Sequence, residues 1–262
     1  MLTLILLPPI LRGFAALLIG GLSFPLAGVL TLRLNLLPLR YLLMHTLILA
    51  GTVSLALALP ETPVFVVTGL LAVLALLKLG KGRNDLGSSA SFLMILSIAL
   101  ASILAAKADV PSKDTLDLLW GSPFTISRPE LLFLALFSVS LMLFVVLSFH
   151  KLSLLFFDRD TAQVSDRRIM LYEGAAVCVA SLSIVLAMRF TGALLTDAIL
   201  ILPVMSARKR AVSLRGLFIA SSAFGFSSSL LGYLAALRFD LPPSAAVAVV
   251  SVLCYLIIPP RR

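Results

Sequence analysis

Nine long apolar runs separated by short polar gaps dominate the pattern of this chain. The runs occupy residues 14–32, 41–59, 64–77, 90–106, 131–149, 169–188, 191–207, 213–237 and 242–258. Most of them approach the ~20 apolar residues that a helix needs to cross a bilayer. The pattern therefore predicts an all-α, polytopic membrane helix bundle with eight or nine transmembrane helices. Runs six and seven are the hardest to separate, because only a few residues around Arg189 divide them.

The Lys and Arg residues are distributed unequally between alternate gaps. Most of the 21 follow runs one, three, five, seven and nine. The other gaps contain Arg12, Lys107, Lys113, Arg128, Arg189 and Arg238. Because short loops rich in Lys and Arg stay in the cytoplasm, this bias predicts a multi-pass inner-membrane protein with a cytoplasmic C-terminus. Nine spans would place the N-terminus outside, whereas eight would place both ends on one side.

The composition supports a membrane location. Hydrophobic residues make up 60% of the chain and charged residues 13%, against roughly 25% charged in a soluble domain. The net charge of +9 is interpreted as a topology signal and as contact with anionic lipid headgroups, so the bilayer is a predicted partner and nucleic acid is not. The polar stretches are too short for a soluble domain, so residues 1–262 are predicted to form one transmembrane domain.

Three ionisable residues of the apolar runs are candidates for a role inside the membrane. They are His45 in run two, Glu173 near the start of run six and Asp197 in the middle of run seven. A charged residue at the centre of a bilayer costs ~2.5–3.5 kcal/mol on insertion scales, so such residues usually face a bundle interior or an aqueous path. His45 could instead bond a neighbouring carbonyl group, and Glu173 could pair with Arg167 or Arg168. Asp197 has no basic residue within one turn of its own run, which favours a role in a pathway.

Five segments carry a family resemblance in the same order along the chain. They are PLAGVLTLRLNLLPLRYLLMH at 25–45, LLWGSPFTIS at 118–127, FFDRDTAQVSD at 156–166, GALLTDAILILP at 192–203 and LGYLAALRFDLPPSA at 231–245. They resemble motifs of the metal-uptake ABC permeases, the ABC-3 type importers of zinc, manganese or iron. The resemblance implies a type II ABC importer-like permease that carries a divalent metal, Zn²⁺ or Mn²⁺, transiently and has no resident cofactor.

The resemblance also implies several protein partners. It predicts two ABC ATPase subunits, a second permease subunit in a homodimer and an extracytoplasmic metal-binding protein. The chain has no phosphate-binding GxxxxGK[ST] motif. The chain is therefore predicted to be a transport subunit and not an enzyme, with ATP hydrolysis on a separate chain.

The first segment departs from its family motif at the metal site. The motif has a carboxylate and an imidazole four residues apart, D-x-x-x-H, which a helix places on one face. Here His45 keeps the imidazole, whereas the carboxylate position is occupied by Tyr41, a poor ligand near neutral pH. Asp197 stands at a small residue of the fourth motif and precedes Arg208 by 11 residues. His45 follows Arg33 by 12 residues, so both candidate ligands could lie ~16–18 Å above the inner surface.

These positions give the predicted site. The predicted metal ligands are His45 and Asp197, with Tyr41 lining the same path. A carboxylate would then have moved from one helix to another. This arrangement has the nitrogen and oxygen ligands that Zn²⁺ and Mn²⁺ accept.

The polar segment 151–168 is predicted to couple the permease to its ATPase. Asp158 is a candidate N-cap for a short helix over 159–165. The apolar residues of the segment are Phe156, Phe157, Ala162 and Val164. The predicted ATPase-coupling residues are Phe157, Asp158, Asp160 and Ala162. A loop lying on lipid headgroups is the alternative, and it is disfavoured because an anionic leaflet would repel the acidic side chains of the segment.

Other functions stay open at this point. A secondary transporter driven by an ion gradient could use Asp197 and Glu173 as proton carriers, and it would work without an ATPase. A permease for a metal chelate, such as a siderophore or cobalamin, would need a wide path with few ligands, which suits the missing carboxylate at Tyr41. A membrane scaffold without transport activity is a further possibility.

Overall fold

The computed structural model of the protein describes residues 8–79, 86–108, 126–158, 161, 162, 164 and 168–259. Its helices are α1 (Pro8–Arg33), α2 (Leu37–Leu57), α3 (Glu61–Leu79), α4 (Leu86–Lys107), α5 (Arg128–Leu147), α6 (Phe149–Phe157), α7 (Ile169–Leu200), α8 (Leu202–Arg208), α9 (Leu214–Phe239) and α10 (Pro243–Ile257). Within these ranges, seven helical segments are long and apolar enough to cross a membrane, and α10 is a shorter apolar helix. The predicted all-α membrane bundle is confirmed.

Run seven differs from the other predicted runs because it is not one continuous helix. The backbone of Gly192 has φ 80° and ψ 165°, which divides α7 into a span over 169–191 and a short helix over 193–200. This region of backbone space is almost exclusive to glycine. Thr196 closes the break by donating its hydroxyl hydrogen to the Gly192 carbonyl oxygen at 2.7 Å. The remainder of the run forms α8, so run seven crosses the bundle as two short helices.

One end of the bundle is held together by an ion-pair cluster. Arg189 Nη2 lies 2.7 Å from Glu61 Oε2 and 3.2 Å from Glu130 Oε1. Thr62 adds a hydroxyl donor to the same Glu130 oxygen at 2.8 Å. These residues come from the gaps after runs two, four and six, and they join the starts of α3 and α5 to the span 169–191. The gaps after runs two, four and six therefore meet at one end, as alternating spans require.

The polar segments after runs one, five, seven and nine lie at the opposite end of the bundle. We call this end the basic end. A small apolar core there consists of Leu155, Ala162 and Ile169 with Leu34 and Phe156 packed against it. The guanidinium of Arg215 lies 5.2 Å from the centre of the Phe149 ring. Lys209 Nζ donates to the carbonyl oxygen of Ile258 at 3.1 Å and so ties the end of α10 to the end of α8. The assignment of this end to the cytoplasm stays a prediction.

Close glycine contacts position the broken run against α1. A Cβ atom added to Gly28 would collide with the carbonyl oxygen of Leu200 and would lie 3.0 Å from Val204 Cγ2. Gly21 and Gly225 make a similarly close contact between α1 and α9. Small residues let membrane helices approach until their backbones touch. The absence of a side chain at Gly28 therefore lets the short helix over 193–200, which carries Asp197, pack directly against α1.

Candidate functional site

The first candidate residues lie on α2, which starts after a sharp corner. Asn35 has a φ of 56°, a left-handed conformation that asparagine tolerates, and it turns the chain from α1 into α2. Pro38 lies in the first turn of α2, where its missing N–H would have no helical partner. Leu39, Leu42 and Leu43 point into the core. The face with Tyr41, Met44, His45 and Ile48 is only partly covered, and we call it the open face of α2.

His45 on this open face has a defined ring orientation. Its Nδ1 lies 2.8 Å from the backbone carbonyl oxygen of Tyr41. A carbonyl oxygen only accepts hydrogen bonds, so Nδ1 carries a hydrogen, and in the neutral ring Nε2 keeps its lone pair. In histidines that bind metals, a hydrogen bond from the other ring nitrogen commonly orients the ring in this way. His45 does bond a neighbouring carbonyl group, and the bond leaves Nε2 in the state that can coordinate a cation.

Asp197 has a partner that the sequence did not reveal. Arg40 Nη1 lies 2.5 Å from Asp197 Oδ1. The Arg40 side chain is only 11% exposed, whereas that of Asp197 is 44% exposed. The basic partner of Asp197 thus comes from another helix: it is Arg40, in the first turn of α2. From the sequence alone, Arg40 is one of the basic residues in the gap after run one, because the sequence pattern cannot show contacts between distant helices.

Arg40 also contacts the residue that follows it. Its Cζ atom lies 4.5 Å from the centre of the Tyr41 ring, within the range of a cation–π interaction. Tyr41 itself is 52% exposed. The guanidinium is therefore held by the Asp197 carboxylate and by the aromatic ring. Arg40, Tyr41, His45 and Asp197 together form what we call the α2–α7 site.

The α2–α7 site contains few potential metal ligands within one copy of the chain. Among the residues that the structure describes, no group of three or more His, Cys, Asp or Glu side chains is placed to hold a metal ion. His45 contributes one available nitrogen, and Asp197 contributes a carboxylate that is already bonded to Arg40. The predicted roles of His45, Asp197 and Tyr41 as metal ligands and path lining stay predictions.

The coupling segment begins with the cap that its residue types predict. Asp158 Oδ1 accepts a hydrogen bond from the backbone N–H of Thr161 at 3.2 Å, and its other carboxylate oxygen accepts one from the Thr161 hydroxyl at 2.5 Å. Its carbonyl oxygen accepts from the N–H of Ala162 at 3.0 Å. These contacts and an extended backbone are the geometry of an N-cap. Asp158 thus ends α6 and starts a further helical turn.

The apolar residues of the coupling segment point in two directions. Ala162 is buried against Leu155 and Ile169 in the small core at the basic end. Phe157 and Val164 are 94% and 90% exposed. Ala162 therefore anchors the segment to its own chain, whereas Phe157 and Val164 are available to a partner. Asp160 lies outside the described residues, and the predicted coupling role of all four residues stays a prediction.

The sequence profile of a known transporter family covers nearly the whole chain. The profile of the ABC 3 transport family matches residues 14–259. The chain belongs to the ABC 3 transport family. The predicted family resemblance is thus confirmed.

The curated relatives that this ABC 3 family protein matches are distant. The manganese import system permease protein ScaB of Streptococcus gordonii is 25% identical over 175 residues, which are 67% of this chain and 62% of the relative. ScaB of Streptococcus pneumoniae is 29% identical over 146 residues, 56% of this chain and 52% of the relative. The matched part of the chain thus spans less than two thirds of each ScaB. The "Probable metal transport system membrane protein" of Treponema pallidum is 27% identical over 256 residues, 94% of this chain and 93% of that protein.

Two solved structures have the same fold as this ABC 3 family protein. PsaBC from Streptococcus pneumoniae, in complex with a Fab, superimposes with a TM-score of 0.82 at 21% identity, covering 97% of this chain and 92% of that chain. The structure titled "An inward-facing conformation of a putative metal-chelate type ABC transporter" gives a TM-score of 0.73 at 20% identity, covering 95% of this chain and 84% of that chain. At these identities the likeness establishes the fold.

The α2–α7 site has a different charge from the D-x-x-x-H motif. In that motif the position of Tyr41 carries a carboxylate, so this ABC 3 family chain lacks one negative charge there. Arg40 places a positive charge directly before that position, on the first turn of α2. Asp197 balances the charge of Arg40 through their ion pair. As a result, the surroundings of His45 offer a cation less electrostatic attraction than the motif would.

Proposed function

We propose that this chain is the membrane permease subunit of an ATP-driven importer for a divalent transition metal, with Mn²⁺ as the substrate. The observation that carries the proposal is His45, at the histidine position of the family motif, with Nε2 available on the open face of α2. Mn²⁺ accepts imidazole and carboxylate ligands. The names of the ScaB relatives favour manganese over zinc and iron.

The working unit of this proposal is a homodimer. A two-fold axis beside the open face of α2 would place His45 of one copy opposite His45 of the other, with the path between them. Few ligands per copy suit an importer, because a closed four-ligand cage would retain the ion. An extracytoplasmic metal-binding protein would deliver the ion to the end that carries Arg189.

The energy source in this proposal is a pair of ATPase subunits at the basic end, which we place in the cytoplasm. Asp158 and the buried Ala162 hold the coupling segment in place, and Phe157 and Val164 supply an apolar surface for an ATPase groove. Phe157 and Val164 belong to one short segment, so a single ATPase contact could cover both. Movement of the ATPase would then reach α7 through Ile169, which packs in the same small core.

Manganese uptake into vesicles tests the proposal. The permease, co-expressed with its ATPase, is reconstituted in proteoliposomes, and Mn²⁺ accumulation is measured with and without ATP. We expect His45→Ala to lower ATP-dependent uptake by about tenfold or more, because it removes a coordinating nitrogen, and to leave the complex assembled. His150→Ala is the matched control, since His150 is the second histidine of the chain and lies exposed on α6. Equal uptake by the two variants would contradict the proposal, and uptake driven by an ion gradient alone would favour the secondary transporter.

A permease for a metal chelate is the second candidate. It is favoured by the ion pair of Asp197 with Arg40 and by Tyr41 at the carboxylate position, which together leave His45 as the ligand with an available atom. A chelate brings its own metal ligands and needs few from the protein. Uptake of free Mn²⁺ and of a preformed metal chelate in the same proteoliposomes separates the two. Accumulation of the chelate alone would establish the second candidate.

A further inference from the structure

We propose that Arg40 is an internal competitor of the transported metal for Asp197, so that it sets how tightly the pathway holds the ion. This inference rests on the proposed function, because it assumes that a divalent cation passes the α2–α7 site. It assigns a role to a residue that the D-x-x-x-H motif does not contain.

The first support is the way Arg40 is held. Its Nη1 lies 2.5 Å from Asp197 Oδ1, its Cζ lies 4.5 Å from the centre of the Tyr41 ring, and its side chain is 11% exposed. A guanidinium stays charged at every pH that a cell experiences. A permanent positive charge is thus fixed against the carboxylate that was predicted to bind the metal.

The second support is that the carboxylate remains accessible. The Asp197 side chain is 44% exposed although Arg40 is nearly buried, so a cation can reach Asp197 from its open side. A metal that bound there beside Arg40 would experience repulsion between positive charges a few ångströms apart. Firm binding to Asp197 therefore requires that Arg40 moves away.

The third support is the construction of the backbone around the ion pair. Arg40 lies in the first turn of α2, five residues before His45, after the left-handed corner at Asn35. Asp197 lies on the short helix over 193–200, which starts at the break at Gly192. A small shift between these two elements would separate the ion pair and expose both carboxylate oxygens. The return of Arg40 to Asp197 would then help to release the metal.

Metal binding by charge variants tests the competition. Mn²⁺ is titrated into the full-length permease–ATPase complex in nanodiscs, and free Mn²⁺ is followed by electron paramagnetic resonance. We expect Arg40→Gln to tighten Mn²⁺ binding by about tenfold or more, because it removes a nearby positive charge and frees Asp197. The gain should be several-fold smaller when Arg40→Gln is combined with Asp197→Asn than when Asp197 is intact. Arg33→Gln is the control, since Arg33 is an exposed arginine at the same end of the bundle.

The transport rate provides a second readout. If Arg40 promotes release, Arg40→Gln should bind Mn²⁺ more tightly and yet import it more slowly at saturating Mn²⁺. Unchanged or weaker binding by an assembled Arg40→Gln complex would overturn the inference. A gain of equal size in the Asp197→Asn background would also overturn it, because Arg40 would then act without Asp197.

Loss of assembly does not prevent the test. If Arg40→Gln fails to assemble, Arg40→Met also removes the positive charge but keeps a long apolar side chain beside Tyr41, and it should bind Mn²⁺ more tightly than the wild type. Wild-type affinity in an assembled Arg40→Met complex would overturn the inference. If the wild-type complex imports Mn²⁺ but the Arg40 variants bind Mn²⁺ with the wild-type affinity, the inference fails and the proposed function stands. If neither the wild type nor any variant binds or imports Mn²⁺, the proposed function fails with it.

Discussion

Gly192→Ala is expected to lower the free energy of unfolding by about 1–3 kcal/mol and to abolish most of the metal uptake. The backbone of Gly192, with φ 80° and ψ 165°, is in a region that a Cβ atom makes unfavourable. The break also sets the direction of the short helix that carries Asp197, and this helix is packed against Gly28 of α1. A continuous helix at this point would move Asp197 away from Arg40. The thermal midpoint in detergent and Mn²⁺ uptake in proteoliposomes measure the two effects.

The same helix offers a matched control for this substitution. Gly174 is helical, and a Cβ atom added to it would meet no atom within 4 Å. Gly174→Ala should therefore be neutral or stabilising by up to about 1 kcal/mol, since alanine favours helix more than glycine does. If the Gly192→Ala and Gly174→Ala proteins are equally stable and equally active, the break at Gly192 has no structural role.

In the proposed importer, simultaneous replacement of Phe157 and Val164 by alanine is expected to uncouple the permease from its ATPase. Both side chains are more than nine-tenths exposed, on either side of the cap at Asp158. Burial of a large apolar side chain in a partner's groove contributes about 1.5–3 kcal/mol, so loss of both should weaken the association by on the order of a hundredfold or more. Co-purification of the ATPase measures the association, and ATP-dependent Mn²⁺ uptake should fall with it.

Val212 provides the control for this double variant. It is an 81% exposed apolar residue between α8 and α9, in another gap of the basic end. Val212→Ala should leave the ATPase bound and uptake intact. Full ATPase binding by the Phe157 and Val164 double variant would show that the coupling segment is not the docking surface. Loss of binding in Val212→Ala would show that the surface is broader than this segment.

The sequence predicts the bundle well because its two main signals are local. Runs of about 20 apolar residues encode spans, and the alternation of basic gaps encodes the end at which each loop lies. The structure follows both signals, since Glu61, Glu130 and Arg189 meet at one end of the bundle. The break in run seven was not predicted, because Gly192 lies between apolar stretches and the hydropathy of a sequence does not report backbone conformation. A glycine at the start of run seven was the available signal.

The candidate site could be predicted only in part. The spacing of Tyr41 and His45 indicates that they share a face one turn apart, and the structure shows the hydrogen bond between them. The ion pair between Arg40 and Asp197 could not be predicted, because 157 positions separate the two residues and helical periodicity does not encode which helices touch. For the same reason the residue types around Asp158 predicted the cap but not the burial of Ala162.

The location of Mn²⁺ in the assembled complex tests the central claim most directly. Anomalous X-ray diffraction at the manganese absorption edge, from crystals of the permease–ATPase complex grown with Mn²⁺, would locate the ion. We predict a peak at about 2–2.3 Å from His45 Nε2, on the open face of α2, which disappears in the His45→Ala protein. A manganese peak elsewhere in the membrane region, with none at His45, would contradict the proposed pathway.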